Sequence, residues 1–306
     1  MSASTRGRRF PVLIGAVLLG AAAWSLASNR DIAAAAWSSL REPSPTWATL
    51  LPGCVLASFA VTAMGLQWLT NRVVPVGRIH FAEMLALTLT SALGNMVPLQ
   101  AGLVGRLAYQ QRVHGIPATV GVLLAVQSTL LTLGAAAWVG VALLVVRVGG
   151  FSWLAVPATL LLPMAIAVAP QGRGRAFRAA FAARLVETML SAVRTAAAFR
   201  LVGSPIDPFA AMVFALAAQF ANAVPMVGNG LGVREWAVAL LAPSVAGLAT
   251  PEALAAELVH RAAEILVVVP GGLFGMIPLA RRAGMAARMR RVDPTNREPV
   301  AEVSGK

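Results

Sequence analysis

Residues 95–106 read Asn-Met-Val-Pro-Leu-Gln-Ala-Gly-Leu-Val-Gly-Arg, and residues 222–234 read Asn-Ala-Val-Pro-Met-Val-Gly-Asn-Gly-Leu-Gly-Val-Arg. Both follow Asn-x-Val-Pro-[Leu/Met], a spacer of two or three residues, then Gly-Leu-x-x-Arg. Each copy breaks a strongly apolar run with helix breakers and sets one cation just beyond the break. Hydrophobic segments interrupted by Gly and Pro at corresponding places in two halves of a chain point to a transport site between membrane repeats.

The surrounding sequence suits a bilayer. Of the 306 residues 58% are hydrophobic and only 12% charged, and the mean hydropathy is +0.74. Apolar stretches of about 18 residues or more read as spanning helices. The formal charge is +13, and all but one of the 25 basic residues are Arg. They gather at the edges of apolar runs, which fits the cytoplasmic-side bias for cations and contact with anionic lipid rather than nucleic acid. Cys54 is the single cysteine, so an intrachain disulfide and a Cys-cluster metal site are excluded.

Along the chain, Arg6, Arg8 and Arg9 precede an apolar run from Phe10 to Leu26, read as a first spanning helix in preference to a cleaved signal peptide. Residues 28–45 read as a polar loop with balanced charge and two prolines. Further apolar segments are Trp47–Leu69, Phe81–Val97, Leu103–Val113, Ile116–Val146, Trp153–Val168, Leu185–Val202, Phe209–Val224, Val233–Leu248 and Leu254–Ile277. The segments flanking each motif are short and broken by Pro and Gly, so each pair is read as a re-entrant hairpin. Irregular backbone at membrane depth is tolerated only where protein or a water-filled cavity covers it.

Basic clusters lie before Phe10, at 72–78, at 173–184 and after 281. They place both termini on the cytoplasmic side. The expected fold is an all-α integral membrane protein with six full transmembrane helices and two re-entrant helical hairpins. Residues 1–282 form one transmembrane domain with halves at about 10–146 and 152–280, and 283–306 form a basic cytoplasmic tail. Each half makes three full crossings, an odd number, so the halves have opposite orientations and constitute an inverted repeat.

A hairpin tip built on Pro98 and Gly102, or on Pro225, Gly230 and Gly232, leaves backbone amides unpaired and aims a helix N-terminus at the tip, which favours an anion. Arg106 and Arg234 follow about one turn later, where a guanidinium suits forked pairing with phosphate. The competing reading is that Gly and Pro merely turn the chain and each Arg marks a polar interface. The repetition of the pattern with Asn95, Asn222 and both Arg in register favours the site.

In the last helix Arg261 and Glu264 stand three apart on one face beside His260, and intramembrane charge is costly enough to suggest function. An interhelical ion pair is the structural alternative. Gln127 and Ser128 occupy a comparable place after the first motif. Glu187 and Arg194 also share a face, though Arg184 and Glu187 are equally readable as interfacial charges. Glu235 follows Arg234 directly. His80, His114 and His260 lack metal-ligand spacing, and there is no phosphate-binding Gly-rich loop or nucleophile elbow. Glu257 and Glu264 are equally readable as one helix face. The expectation is a non-enzyme without cofactor or metal.

At these motifs the chain resembles the lysylphosphatidylglycerol synthase transmembrane-region family. The resemblance is carried by Pro98 to Arg106 with Ile116-Pro117 after it, by Pro225 through Gly-Leu-Gly-Val-Arg-Glu at 230–235, and by Arg261. It covers about 10–280. The synthases themselves also carry a cytosolic domain that transfers an aminoacyl group from tRNA, and nothing in this chain corresponds to it. Members often have Glu-Arg early in the helix after the first motif, where this chain has Gln127-Ser128. The resemblance implies movement of a lipid between leaflets.

The expected function is a translocase or lipid-binding transporter of the cell inner membrane, acting on a phospholipid or polyprenyl-type lipid with an anionic head group. Arg106, Arg234 and Arg261 would hold the anion, with Asn95, Asn222, Gly102, Gly230 and Gly232 shaping the tips. Glu235, Glu264, His260 and Gln127 would gate the site or supply counter-charge. Expected partners are membrane lipids, with no nucleic acid. The alternatives are a membrane-embedded lipid transferase and a non-catalytic subunit that recruits a lipid-modifying enzyme.

Overall fold

The computed structural model describes residues 20–21, 24–25, 27–74, 78–96, 101–149, 174–222 and 232–292. Among them the elements are nine α-helices: α1 (Arg30–Arg41), α2 (Pro45–Thr70), α3 (Phe81–Asn95), α4 (Ala101–His114), α5 (Ala118–Gly149), α6 (Arg175–Leu201), α7 (Pro208–Asn222), α8 (Val233–Ala246) and α9 (Thr250–Val292). Pro45 starts α2 at the position where its missing N–H is an orphan in any case. After α2 the Asn71 side chain accepts from Ile79 N–H at 2.9 Å and donates to the Ile79 carbonyl at 3.2 Å, turning the chain into α3. Gly247, in the left-handed region at φ 67°, ends α8 and lets the chain double back into α9.

Residues 45–70, 118–145 and 250–286 are long and apolar enough to cross a membrane. The burial departs from that of a water-soluble bundle: beside apolar core clusters, the described residues bury a group of charges and expose large apolar side chains. Val122, Leu123, Val126 and Leu130 of α5 and Leu266, Leu273 and Phe274 of α9 are exposed, whereas Arg194, Arg234, Glu235, Glu257, His260 and Arg261 are buried. Large apolar side chains facing outward, with buried charges gathered together inside, suit a hydrocarbon solvent.

Helix packing repeats between the two halves. With α2, α3, α4 and α5 matched in order to α6, α7, α8 and α9, the α2–α3 contact corresponds to α6–α7 and the α3–α4 hairpin to α7–α8. The α4–α5 contact corresponds to α8–α9, α5–α6 to α9–α2, and α3–α9 to α7–α5. The most extensive contact, α2 against α6, pairs the counterparts with each other. Such exchange of neighbours is what a pseudo-two-fold relation between halves produces. In the α3–α9 contact, a Cβ at Gly272 would come within 2.8 Å of Leu93 Cβ, and one at Gly275 within 3.0 Å of the Ala86 carbonyl oxygen. The absent side chains let the two backbones approach, and Thr90 Oγ1 donates to the Gly272 carbonyl at 3.1 Å.

Three segments differ from the sequence reading. The 28–45 loop contains α1, whose Asp31 in the first turn and Arg41 in the last both complement the helix dipole. α6 begins at Arg175, so the basic cluster at 175–184 lies on the helix and not before it. α9 continues to Val292, ten residues into the segment read as tail. The apolar runs expected at 10–26 and 153–168, the tip residues Pro98, Pro225 and Gly230, and residues 293–306 lie wholly or largely outside the described residues.

Candidate functional site

Glu257, His260, Arg261 and Glu264 recur at spacings of three and four along α9 and therefore share one face. The second motif delivers its charges to that face. Gly232 takes φ 82°, a conformation natural to glycine, at the head of α8. Its N–H donates to Glu235 Oε2 at 2.7 Å. The turn that follows projects Arg234 and Glu235 toward α9. Arg234 Nε donates to Glu257 Oε2 at 3.1 Å and its Nη1 to Glu264 Oε1 at 2.8 Å. Arg261 Nε donates to Glu235 Oε1 at 3.1 Å and its Nη1 to Glu264 Oε2 at 3.0 Å. From α6, Arg194 Nη1 lies 3.7 Å from Glu264 Oε1.

These three guanidiniums face three carboxylates, Glu235, Glu257 and Glu264, in a region where Arg234 is 3% exposed and Glu257 fully buried. Isolated, each charge would suffer a desolvation cost of several kcal/mol, which the network offsets. Saturation is incomplete. Arg234 Nη2, Arg194 Nε, Glu257 Oε1 and both ring nitrogens of His260 are buried without a hydrogen-bond partner among the described residues. His260 lies between the two carboxylates that Arg234 holds, with Nδ1 3.8 Å from Glu257 Oε1 and Nε2 3.7 Å from Glu264 Oε1.

Beside the network is a cavity of about 150 Å³ lined by Ser58, Phe59, Thr62, Met96, Glu187, Arg194, Asn222, Arg234, Glu264 and Val268. That is roughly ten times what a single water requires. Met96 caps the end of α3 and Asn222 ends α7, so the C-terminal ends of these two helices reach the same cavity. Thr62 on its wall accepts from Arg184 Nη1 at 3.2 Å, and Arg184 Nη2 donates to Ser128 Oγ at 2.7 Å. Arg184 is therefore held by neutral hydroxyls. It lies within electrostatic reach of Arg106, which repels it, and of Glu187, which attracts it.

Arg234, Arg261, Glu235, Glu264 and His260 thus belong to one network, and Asn222 lines the adjoining cavity. Arg106 stands apart from them: it joins none of the ion pairs among the described residues. The three arginines expected to hold the anion thus have different surroundings among the described residues. Arg234 and Arg261 meet carboxylates, because α8 and α9 pack together, whereas Arg106 on α4 lies within electrostatic reach of the cation Arg184. Asn95 Oδ1 accepts from Leu103 N–H at 3.2 Å, joining the two arms of the first hairpin. Gly102 sits where a Cβ would collide with the Ser91 carbonyl oxygen and approach Asn95 Oδ1 to 2.7 Å, so a larger residue would pry the arms apart. Gln127 is half-buried, and the contact to Arg184 is made by its neighbour Ser128.

Sequence reasoning left Glu257 as a plain helix face and Arg184 as interfacial. The spacing Glu257–His260–Arg261–Glu264 was the available signal for the first. For Arg184 nothing short of the packing of α2, α5 and α6 identifies Thr62 and Ser128 as its partners. No family model matches the chain. No curated protein matches it either, so the likeness to the lysylphosphatidylglycerol synthase transmembrane region rests on the motif residues themselves.

Proposed function

We propose that this chain is an integral inner-membrane lipid translocase that receives an anionic head group in the cavity between its two hairpins. Six full crossings in two inverted halves provide the framework, with both termini cytoplasmic. One observation carries the reading: the ends of both hairpin arms line a polar cavity with Arg194 and Arg234 on its wall, inside a chain whose exterior is apolar. Arg234 Nη2 is a buried donor without a hydrogen-bond partner among the described residues, and a phosphate oxygen is the acceptor that a guanidinium edge suits. Arg106 and Arg184 add positive charge, of which Glu187 offsets that of Arg184 among the described residues, and this favours an anion over a neutral lipid. The mirrored helix contacts support alternating access about a fixed site.

Native mass spectrometry of the full chain, purified in a mild detergent, tests the binding step. Phosphatidylglycerol is expected to remain bound and diacylglycerol, which shares its tails but lacks the phosphate, to dissociate. Equal retention of the two would overturn an anion-selective cavity.

A further inference from the structure

We propose that His260 is a proton-binding site that governs how tightly Arg234 is held, so that the cavity takes up an anionic head group together with a proton. The inference rests on reading the cavity as an anion site and adds the identity of a coupled ion.

His260 is 2% exposed and, among the described residues, neither ring nitrogen has a hydrogen-bond partner. Both nitrogens nonetheless face oxygens. Nδ1 is 3.8 Å from Glu257 Oε1, which is itself buried and unpartnered, and Nε2 is 3.7 Å from Glu264 Oε1. These separations exceed a hydrogen bond and fall within the range of strong charge attraction. A neutral imidazole has one donor, whereas the protonated ring has two, one for each carboxylate.

The same two carboxylates clamp Arg234 through Nε and Nη1. Glu264 Oε1 also faces Arg194. A second N–H arriving at Glu264 competes with Arg234 for an oxygen already shared. With His260 neutral, three guanidiniums are matched by three carboxylates. A proton on His260 makes this group net positive by one charge, and an anion beside the cavity-facing Arg234 restores the balance. Uncompensated charge is costly in a buried, low-dielectric setting, so proton and anion each favour the other. The linkage is reciprocal by thermodynamic necessity. The proton comes from water and no covalent bond other than N–H is made.

The other charged or titratable groups around His260 do not duplicate this arrangement. α8 brings Arg234 and Glu235, the latter held by Arg261 and the Gly232 N–H. α6 brings Arg194 and the cavity-lining Glu187. α2 brings Cys54, which lies in the field of Arg194 and carries no charge as a thiol. α7 lines the cavity with uncharged Asn222. Glu83 of α3, with Tyr109 and His114 of α4, is engaged with Arg282, about six turns along α9 from His260. Asp31 of α1 lines a separate pocket with Glu252. The tip segments 97–100 and 223–231 contain no ionisable residue.

Calorimetric titration of the detergent-purified full chain with short-chain phosphatidylglycerol, in two buffers of different protonation enthalpy, counts protons taken up on binding. The phosphodiester keeps its single charge across the range used, about pH 5 to about pH 8. The expected result is uptake of up to about one proton per lipid, with affinity falling by as much as about tenfold per pH unit where the linkage is steepest. His260→Gln should bind lipid with no uptake and no pH dependence, and His114→Gln should keep both. Wild-type binding without proton uptake overturns the proposal while sparing the anion site. Uptake that persists in His260→Gln, or vanishes in His114→Gln, overturns it as well. Absence of lipid binding at every pH removes the anion site and the coupling together. The wild-type titration stands by itself should His260→Gln fail to fold.

Discussion

Arg234 Nη1 lies 2.8 Å from Glu264 Oε1, a buried bond across thirty positions of sequence that fastens the second motif to the middle of α9. Its partner Glu264 also receives Arg261, and Arg194 approaches it to 3.7 Å. Removing Arg234 strands Glu257, whose guanidinium partner it is, and leaves Glu264 to Arg261 and Arg194. We expect Arg234→Gln to lower stability by about 3–5 kcal/mol. A double-mutant cycle with Glu264→Gln should show that the two losses are far from additive. Thermal unfolding in detergent measures both. Additive losses would mean that the bond contributes nothing specific.

Arg106 should behave in the opposite way. It has no carboxylate partner among the described residues and is repelled by Arg184. Arg106→Gln is expected to leave the unfolding midpoint unchanged or slightly raised while weakening retention of phosphatidylglycerol. A fall in stability comparable to that of Arg234→Gln would show a hidden structural role.

Glycine at the α3–α9 crossing offers a test of packing alone. Gly272→Ala places a methyl group 2.8 Å from Leu93 Cβ and 3.1 Å from the Leu89 carbonyl oxygen. Such overpacking should destabilise by about 1–3 kcal/mol. Gly53→Ala in α2 meets nothing within 4 Å and should be neutral or gain up to about 1 kcal/mol from helix propensity. Equal unfolding midpoints for the two variants would contradict the close crossing.

The hairpin arms can be joined chemically. Met96 and Asn222 line one cavity although they belong to different halves. In a Cys54→Ala background, Met96→Cys and Asn222→Cys should be linked by a short bifunctional thiol reagent. Pairing Met96→Cys with Ser38→Cys on the exposed face of α1 should give no product. Loss of the first cross-link, or its appearance in the second pair, would separate the hairpins.

Much of this fold was legible because bilayer physics leaves strong marks. Apolar runs ending at Pro98 and Pro225, and the registers of Arg106 and Arg234, marked out α3, α4, α7 and α8 to within a few residues. Arg261 and Glu264 were readable as a pair because helical spacing alone brings them together. The links from Arg234 to Glu257 and from Arg261 to Glu235 were not, since they depend on how α8 docks on α9. Arg184 and Arg194 were ambiguous for a related reason: a charge on a long helix looks the same in sequence whether it faces lipid head groups or a neighbour. α1 was missed because two prolines and mixed charges resemble a loop. The polarity of its ends, acidic first and basic last, was the stronger signal.

In the proposed mechanism the cavity carries a lipid head group across the bilayer. A head-group-labelled phosphatidylglycerol in proteoliposomes, with a membrane-impermeant quencher added outside, reports that movement directly. The wild-type chain should expose inner-leaflet lipid well above the protein-free rate, and Arg234→Gln and Arg184→Gln should both fall toward that background. A wild-type rate equal to protein-free vesicles, or full movement in both variants, would rule out translocation through this cavity.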